Sequence, residues 1–105
     1  MFIKVVNSAT ELYMIRADRL VQINSLSATS MDLIFEDSSA PKTNAVIVIT
    51  LTFTSGTKED VLNSIKEKGN KAENEFKFDW ELFNATTGYK FCPHVTNATI
   101  SKKYK

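Results

Sequence analysis

The residue types that an enzyme would need are sparse in this chain. Histidine occurs once, as His94, and cysteine occurs once, as Cys92, with only Pro93 between them. A catalytic Cys–His pair is defined by spatial geometry and needs further groups around it, so closeness in sequence does not identify one. Two side chains also fall short of the three or four ligands that hold zinc. We therefore interpret both as packing or loop groups, and the sequence predicts no enzyme, no metal site and no cofactor.

The sequence also predicts no glycine-rich loop that could bind phosphate, because its three glycines are far apart. Two groups of basic residues are the candidates for contact with a nucleic acid. One pair flanks a predicted bend, where it could form a local anion contact or an ion-paired, solvated surface. The other pair lies in the basic C-terminal tail, which could touch phosphate or remain solvated. The predicted nucleic-acid contacts are Arg16, Arg19, Lys102 and Lys103.

An aromatic stripe follows near the C-terminal third of the chain. Phe76, Phe78 and Trp80 alternate with three charged residues whose net charge is negative, which predicts a strand with an aromatic face. Aromatic faces of this kind stack unpaired bases in single-strand binders, usually in basic surroundings. Packing is the interpretation that the negative surroundings favour, and each ring buries about 150–250 Å². We expect the stripe to dock on the rest of the chain or on a second copy.

Charge and composition limit the partners further. Thirteen basic side chains oppose twelve acidic ones in 105 residues, which gives a net charge of +1. This balance provides no long-range attraction to phosphate, and it does little to oppose self-association. A hydrophobic fraction of 43% and this length indicate one ordinary globular domain.

The cellular compartment is inferred from three features that the sequence does not show: a disulfide, a signal peptide and a membrane span. A single cysteine predicts no internal disulfide, and the segment Met1–Lys4 does not resemble a signal peptide. The longest apolar run, Ala45–Ile49, is far shorter than the roughly 20 residues that cross a bilayer. We expect no membrane partner, and a location in the cytoplasm of a host cell or in a virus particle.

The elements that must position these residues are mainly strands. The clearest is Ala45–Thr54, which is dense in β-branched residues that suit a pleated surface. Alternation along this strand places Val46 and Val48 on one face, and Ile49 with the other apolar residues on the opposite face. The face that carries Val46 and Val48 is half-apolar. A loop is predicted at 37–44. The other strands predicted in this half of the chain are Phe2–Val6, Leu12–Ile15, Leu20–Ile23 and Met31–Phe35, the last with Met31, Leu33 and Phe35 on one face.

One helix is predicted at Lys58–Lys68. Thr57 is a plausible N-cap, and Val61, Leu62 and Ile65 form a narrow apolar stripe. Gly69 is a typical residue just beyond a helix end.

Residues 71–105 then form a predicted C-terminal extension with a strand from Phe76, a hairpin return at Tyr89–Cys92 and a last strand at Val95–Ile100. Short strands joined by short turns favour a mainly β fold. We expect residues 1–70 to form a small, strongly bent antiparallel barrel with one helix.

Self-association is a separate expectation from the same pattern. A bent barrel that does not close leaves unpaired strand edges, which proteins must cover or pair. The half-apolar second face of the central strand and the aromatic extension supply apolar surface for a second copy to cover. The sequence therefore predicts a homo-oligomer whose interface contains Val46, Val48, Phe76, Phe78 and Trp80.

Two runs of sequence carry a family resemblance. MFIKVVNSATELYMIRADRLVQINSLSATSMDLIFED and NAVIVITLTFTSGTKEDVLNSIKEK resemble small proteins of marine phages, cyanophages especially. Their strand succession also resembles the Sm-like fold of the Sm, LSm and Hfq proteins. The resemblance covers about two-thirds of the chain. It implies a bent barrel, assembly into rings through edge strands, and possible RNA binding. The alternative is a structural or assembly accessory protein of the phage particle that binds no nucleic acid.

Overall fold

The computed structural model describes residues 1–25, 27–36 and 45–104. Over these residues the chain forms eight strands and one α-helix, so the protein is mainly β, as predicted. The loop predicted at 37–44 lies outside the described residues. The elements are β1 (Phe2–Ser8), β2 (Glu11–Arg16), a 3₁₀ turn (Ala17–Arg19), β3 (Leu20–Asn24), β4 (Ser30–Glu36), β5 (Ala45–Phe53), α1 (Lys58–Asn74), β6 (Asp79–Asn84), β7 (Tyr89–Lys90) and β8 (Val95–Tyr104).

The strands are divided between two four-stranded sheets. Sheet I has the order β2-β1-β6-β7, and sheet II has the order β3-β4-β5-β8. Neighbours are antiparallel except β1 and β6, which run parallel. Parallel neighbours need a long crossover, and here β2 to α1 all lie between the two strands. The fold thus departs from the all-antiparallel expectation, and the described strands do not close into a single barrel.

One apolar core lies between the two sheets and the helix. The predicted inward face of β4 is confirmed, because Met31, Leu33 and Phe35 are each at most 2% exposed. On β5, Ile49 and Leu51 are fully buried. The same cluster includes residues of sheet I and of α1, so every layer contributes to it; these include Ile3, Val5, Ile15, Val61, Ala72 and Leu82.

The helix begins where it was predicted but ends later. Thr57 is the N-cap residue, and its hydroxyl donates to the Thr54 carbonyl at 2.6 Å instead of capping the helix. The helix continues past the predicted end at Lys68 to Asn74, and Gly69 lies within it. Ala72 is buried in the core, so the last turns have a packing partner that outweighs the glycine's low helix propensity.

The helix ends at Asn74, and Phe76 occupies the position after the C-cap residue Glu75. Phe76 has a φ of 54°, and its N–H donates to the Glu73 carbonyl while Lys77 N–H donates to the Ala72 carbonyl. This pair of bonds is the Schellman arrangement, in which a left-handed residue is usually glycine. Strand β6 therefore starts at Asp79, later than the strand predicted from Phe76. The residues after 70 add β6 and β7 to sheet I and β8 to sheet II.

Candidate nucleic-acid interface

The two predicted arginines lie at the corner between the sheets, where each has an acidic partner. Arg16 forms two bonds to Asp18, from Nε to Oδ1 at 3.1 Å and from a terminal nitrogen to Oδ2 at 2.7 Å. The hydrogen bond from Arg16 holds the pKa of Asp18 below its ordinary value. Arg19 is 3.9 Å from a Glu36 carboxylate oxygen. These pairings reduce the charge that either arginine can offer to phosphate.

The two predicted lysines of the tail lie in a strand. Lys102 and Lys103 belong to β8 and are in register with Ile47 and Val46 of β5. Their side chains lie outside the part of the chain that the structure describes in full. The backbone of the predicted basic tail is thus the end of an edge strand as far as Tyr104.

The five predicted interface residues fall into two groups. Val46, Val48 and Trp80 are 7%, 3% and 9% exposed within the single chain, so a second copy cannot reach them without repacking. Trp80 meets Phe91 edge to face, with ring centroids 6.0 Å apart. Phe76 and Phe78 are 95% and 71% exposed. The sequence left open whether the stripe docks on its own chain or on a second copy. Trp80 packs within its own chain, whereas Phe76 and Phe78 are largely exposed and precede β6 instead of forming part of it.

A groove between the last turns of α1 and strands β6 and β7 contains three lysines. Lys68 and Lys71 come from α1, three residues apart and so on one helical face, and Lys77 comes from the turn before β6. The groove has a volume of about 360 Å³ and is lined on its other side by Tyr89 of β7. We call it the lysine groove. Three lysines that line one concave surface provide a local positive charge that can attract a phosphate-bearing ligand.

Carboxylates in the lysine groove reduce its positive charge. Asp79 and Glu81 project from β6 into its lining, and Lys77 lies 3.3 Å from a Glu75 carboxylate oxygen. Among the described residues, the Oε1 atom of Glu81 is buried and has no hydrogen-bond partner. A buried acceptor without a partner carries a desolvation cost. The positive charge of the three lysines is thus offset by Asp79, Glu81 and the Glu75 partner of Lys77.

One exposed aromatic ring, Tyr89, lines the lysine groove, and a second, Phe78, follows Lys77 in the chain. Tyr89 is 40% exposed, and Phe78, adjacent in sequence to Lys77 and Asp79, is 71% exposed. One side of Phe78 is supported by Phe2, with ring centroids 5.1 Å apart. Because Phe2 covers only part of the Phe78 ring, the rest of the ring is free for a stacking partner. We refer to Lys68, Lys71, Lys77, Phe78 and Tyr89 together as the aromatic–lysine surface.

Sequence reasoning missed this surface because its parts come from three elements. The spacing of Lys68 and Lys71 was the one sequence feature that could have indicated this surface. These two lysines share a helix face only if the helix continues past Gly69. The placement of Tyr89 depends on the pairing of β7 with β6, which involves Asn84 and Tyr89.

The cysteine and histidine occupy separate surroundings. Cys92 is 1% exposed in the core. His94 Nε2 lies 3.8 Å from an Asp60 carboxylate oxygen on the surface. Over residues 1–25, 27–36 and 45–104, no group of three or more His, Cys, Asp or Glu side chains is arranged to hold a metal ion.

The edges of sheet II offer a second kind of surface. In the part of the chain that the structure describes, β3 pairs only with β4. Val21 and Ile23 of β3 are 52% and 37% exposed. Such an edge presents unpaired backbone groups and apolar side chains together, which is the usual template for pairing with another chain.

Comparison with known protein families, with curated proteins and with solved structures found no match. No helix within the described ranges has the length and apolar character needed to cross a membrane.

Proposed function

We propose that this protein is a homo-oligomeric, Sm-like module that binds single-stranded RNA. The observation that carries the proposal is the aromatic–lysine surface, where three lysines and Tyr89 line one groove and the exposed Phe78 follows Lys77 in the chain. Phosphates would contact Lys68, Lys71 and Lys77, and unpaired bases would stack on Phe78 and Tyr89. Stacking on an aromatic side chain contributes about 1–3 kcal/mol per base and tolerates any base.

The charge of the aromatic–lysine surface determines how tightly the protein is expected to bind RNA. The chain as a whole has a net charge of +1, so attraction to RNA is local to the lysine groove. Three lysine contacts give a modest, salt-sensitive affinity for one chain. Assembly of several chains would place several such surfaces on one RNA strand and raise the overall affinity through a high effective concentration. The Sm-like resemblance over residues 1–70 implies the same combination of assembly and RNA binding.

Fluorescence anisotropy with a labelled oligouridylate tests the proposal. We expect binding at low salt that weakens steeply as salt is added, and much weaker binding to a double-stranded RNA of equal length. The difference arises because paired bases are not free to stack on Phe78 or Tyr89. Absence of binding to the single strand at low salt would contradict the proposal.

A second candidate function is assembly without nucleic acid, as a structural or accessory component of a phage particle. The observation that favours it is the edge strand β3, with exposed Val21 and Ile23. Edge pairing needs only backbone groups and complementary apolar faces, so it does not depend on the lysine groove. Recovery of the protein in purified particles, together with no RNA binding at low salt, would favour this candidate over the first.

A further inference from the structure

Strand β3 is an edge strand that carries no charge. Over the described residues, the edge strands are β2 and β7 in sheet I and β3 and β8 in sheet II. Proteins commonly protect such edges from other chains with charged side chains or proline. Strand β3 has the sequence LVQIN, with neither a charge nor a proline. The other three edge strands each contain charged residues, which are Glu11 and Arg16 in β2, Lys90 in β7, and Lys102 and Lys103 in β8.

The core face of sheet II continues onto β3 and is only partly covered there. Leu20 is in register with Phe35, and Ile23 is in register with Leu33. Both partners on β4 are buried, and directly opposite residues of antiparallel strands share a face, so Leu20 and Ile23 lie on the core side. Ile23 is nevertheless 37% exposed, and Val21 is 52% exposed. Apolar surface on the core side of this edge is therefore open to solvent.

A register shift at Val21 separates an apolar face from a polar one. Leu20 pairs with Phe35 and Gln22 pairs with Ile34, so β3 has one residue more than β4 over this stretch. The extra residue brings Leu20 to the same face as Ile23, although the two are three positions apart. On the other face, Gln22 Nε2 donates to Asn24 Oδ1 at 2.8 Å. These two amides thus form a hydrogen bond with each other, whereas the exposed apolar side chains on the opposite face remain in contact with water.

The pattern of β3 is complementary to itself in an antiparallel arrangement. When two copies of the strand pair about a two-fold axis at Gln22, Val21 of each strand is opposite Ile23 of the other. Val21 and Ile23 are two positions apart and share a face, so both apolar pairs form on the same side of the sheet. Cross-strand side-chain pairs of this kind stabilise a sheet, and two neutral strands do not repel each other.

The other edge strands do not match β3 in this way. On β2, exposed Leu12 shares its face with Arg16, and exposed Tyr13 shares its face with Glu11. Pairing with β2 would thus bring a charged residue to either face of the neutral edge. Strand β7 has only two residues. On β8, the exposed side chains that the structure describes are polar, namely Thr96, Asn97, Thr99 and Ser101.

We propose that two copies of this chain form a symmetric dimer by antiparallel pairing of their β3 strands about a two-fold axis at Gln22. The two copies of sheet II, with four strands each, join into one continuous sheet. The outward backbone donors and acceptors of both β3 strands gain partners, and the interface is isologous. This inference rests on the homo-oligomer in the proposed function and names one interface of it.

Disulfide formation tests the position of the axis. In the proposed pairing the two Gln22 residues are directly opposite, with Cα atoms about 4.5–5.5 Å apart, a separation that a disulfide spans. We expect Gln22→Cys to form a disulfide-linked dimer under mild oxidation. Asn24→Cys is the matched control on the same face, because its two copies would be about 13 Å apart along the strands and should not crosslink. Cys92 is buried and is common to both variants.

Analytical ultracentrifugation of the full chain tests the same edge without a crosslink. Val21→Lys places a charge at the centre of the proposed interface. We expect its dimer dissociation constant to rise about 2- to 30-fold, the effect of losing two apolar cross-strand pairs. Leu12→Lys is the matched control, because it makes the same kind of change at an exposed position of the edge strand β2 and should leave the dimer intact. Circular dichroism would establish that each variant retains the fold.

The outcomes separate the two proposals. An oligomeric wild type whose assembly is unaffected by Val21→Lys would overturn the β3 interface while leaving the proposed oligomer in place. Equal crosslinking of Gln22→Cys and Asn24→Cys, or of neither, would overturn the pairing about Gln22. A wild type that sediments as a monomer at micromolar concentration would overturn both the interface and the oligomer. RNA binding is measured separately and does not enter any of these results.

Discussion

Replacing the two helical lysines of the groove should lower the salt dependence of RNA binding by a predictable amount. Lys68 and Lys71 lie on one face of α1 and line the groove with Lys77. Each phosphate contact to a single strand contributes about 0.7 to the slope of log affinity against log salt. Three contacts give a slope of about −2.1, and the Lys68→Gln/Lys71→Gln double variant keeps one contact and a slope of about −0.7.

These slopes correspond to a large difference in a simple titration. A fourfold rise in salt concentration would weaken wild-type binding about 18-fold and binding by the double variant only about 2.6-fold. Fluorescence anisotropy with a labelled oligouridylate at several salt concentrations measures both. Glutamine keeps the length and helix propensity of lysine, so the fold should be unchanged.

Lys58→Gln provides the matched control. Lys58 lies at the first turn of α1 and lines a different surface with Gly56, Glu59 and Asp60. The change removes one lysine charge from the same helix and the double variant removes two, so a purely global charge effect would give Lys58→Gln half the slope change of the double variant, whereas we expect none. Equal slopes for the wild type, Lys58→Gln and the double variant would refute the assignment of RNA binding to this groove.

Two further predictions concern stability. Gly69→Ala should raise the free energy of unfolding by about 0.8–1.0 kcal/mol, because Gly69 lies within α1 and has open space around it. Urea denaturation measures this change. Gly56→Ala is the contrasting variant, and it should destabilise the protein because Gly56 has a φ of 86°. Asp18→Asn should lower stability slightly at neutral pH, and this loss should shrink as the pH is lowered below 3.8. The hydrogen bond from Arg16 lowers the pKa of Asp18 from its ordinary 3.8, so its contribution to stability is complete above 3.8 and disappears as the pH falls through the lower pKa of the folded state. Urea denaturation of both proteins at neutral pH and well below pH 3.8 measures the difference, and a larger effect in acid would contradict the assignment.

The strands could be predicted from sequence because their signal is local. Alternation placed Met31, Leu33 and Phe35 on the inward face of β4, and the density of β-branched residues marked β5. The start of α1 was also predictable, since the turn at Ser55–Gly56 and the cap position at Thr57 precede a run of helix formers. Each of these depends on residues that are neighbours in the chain.

The end of α1 could not be predicted in the same way. Gly69 has the appearance of a helix stop, and the sequence from Lys71 reads as a polar link. The observed helix continues because Ala72 reaches the core, which is a tertiary contact with no signature in the local sequence. The alternation from Phe76 to Leu82 then predicted a strand where the chain in fact makes a left-handed turn at Phe76.

The candidate surface depended on long-range pairing as well. The parallel placement of β6 beside β1 brings Phe78 next to Phe2, and the β6–β7 pairing brings Tyr89 to the groove. Parallel pairing across most of the chain length cannot be inferred from periodicity, which reports only which face a residue is on. A single bent antiparallel barrel was expected for the same reason, because strand order was inferred from succession alone.

The last turns of α1 matter for RNA binding because they carry Lys68 and Lys71 on the groove flank. In the proposed homo-oligomer, several lysine grooves lie on one assembly. A single groove on a chain of net charge +1 attracts RNA weakly, whereas two or more grooves can hold one strand at high effective concentration.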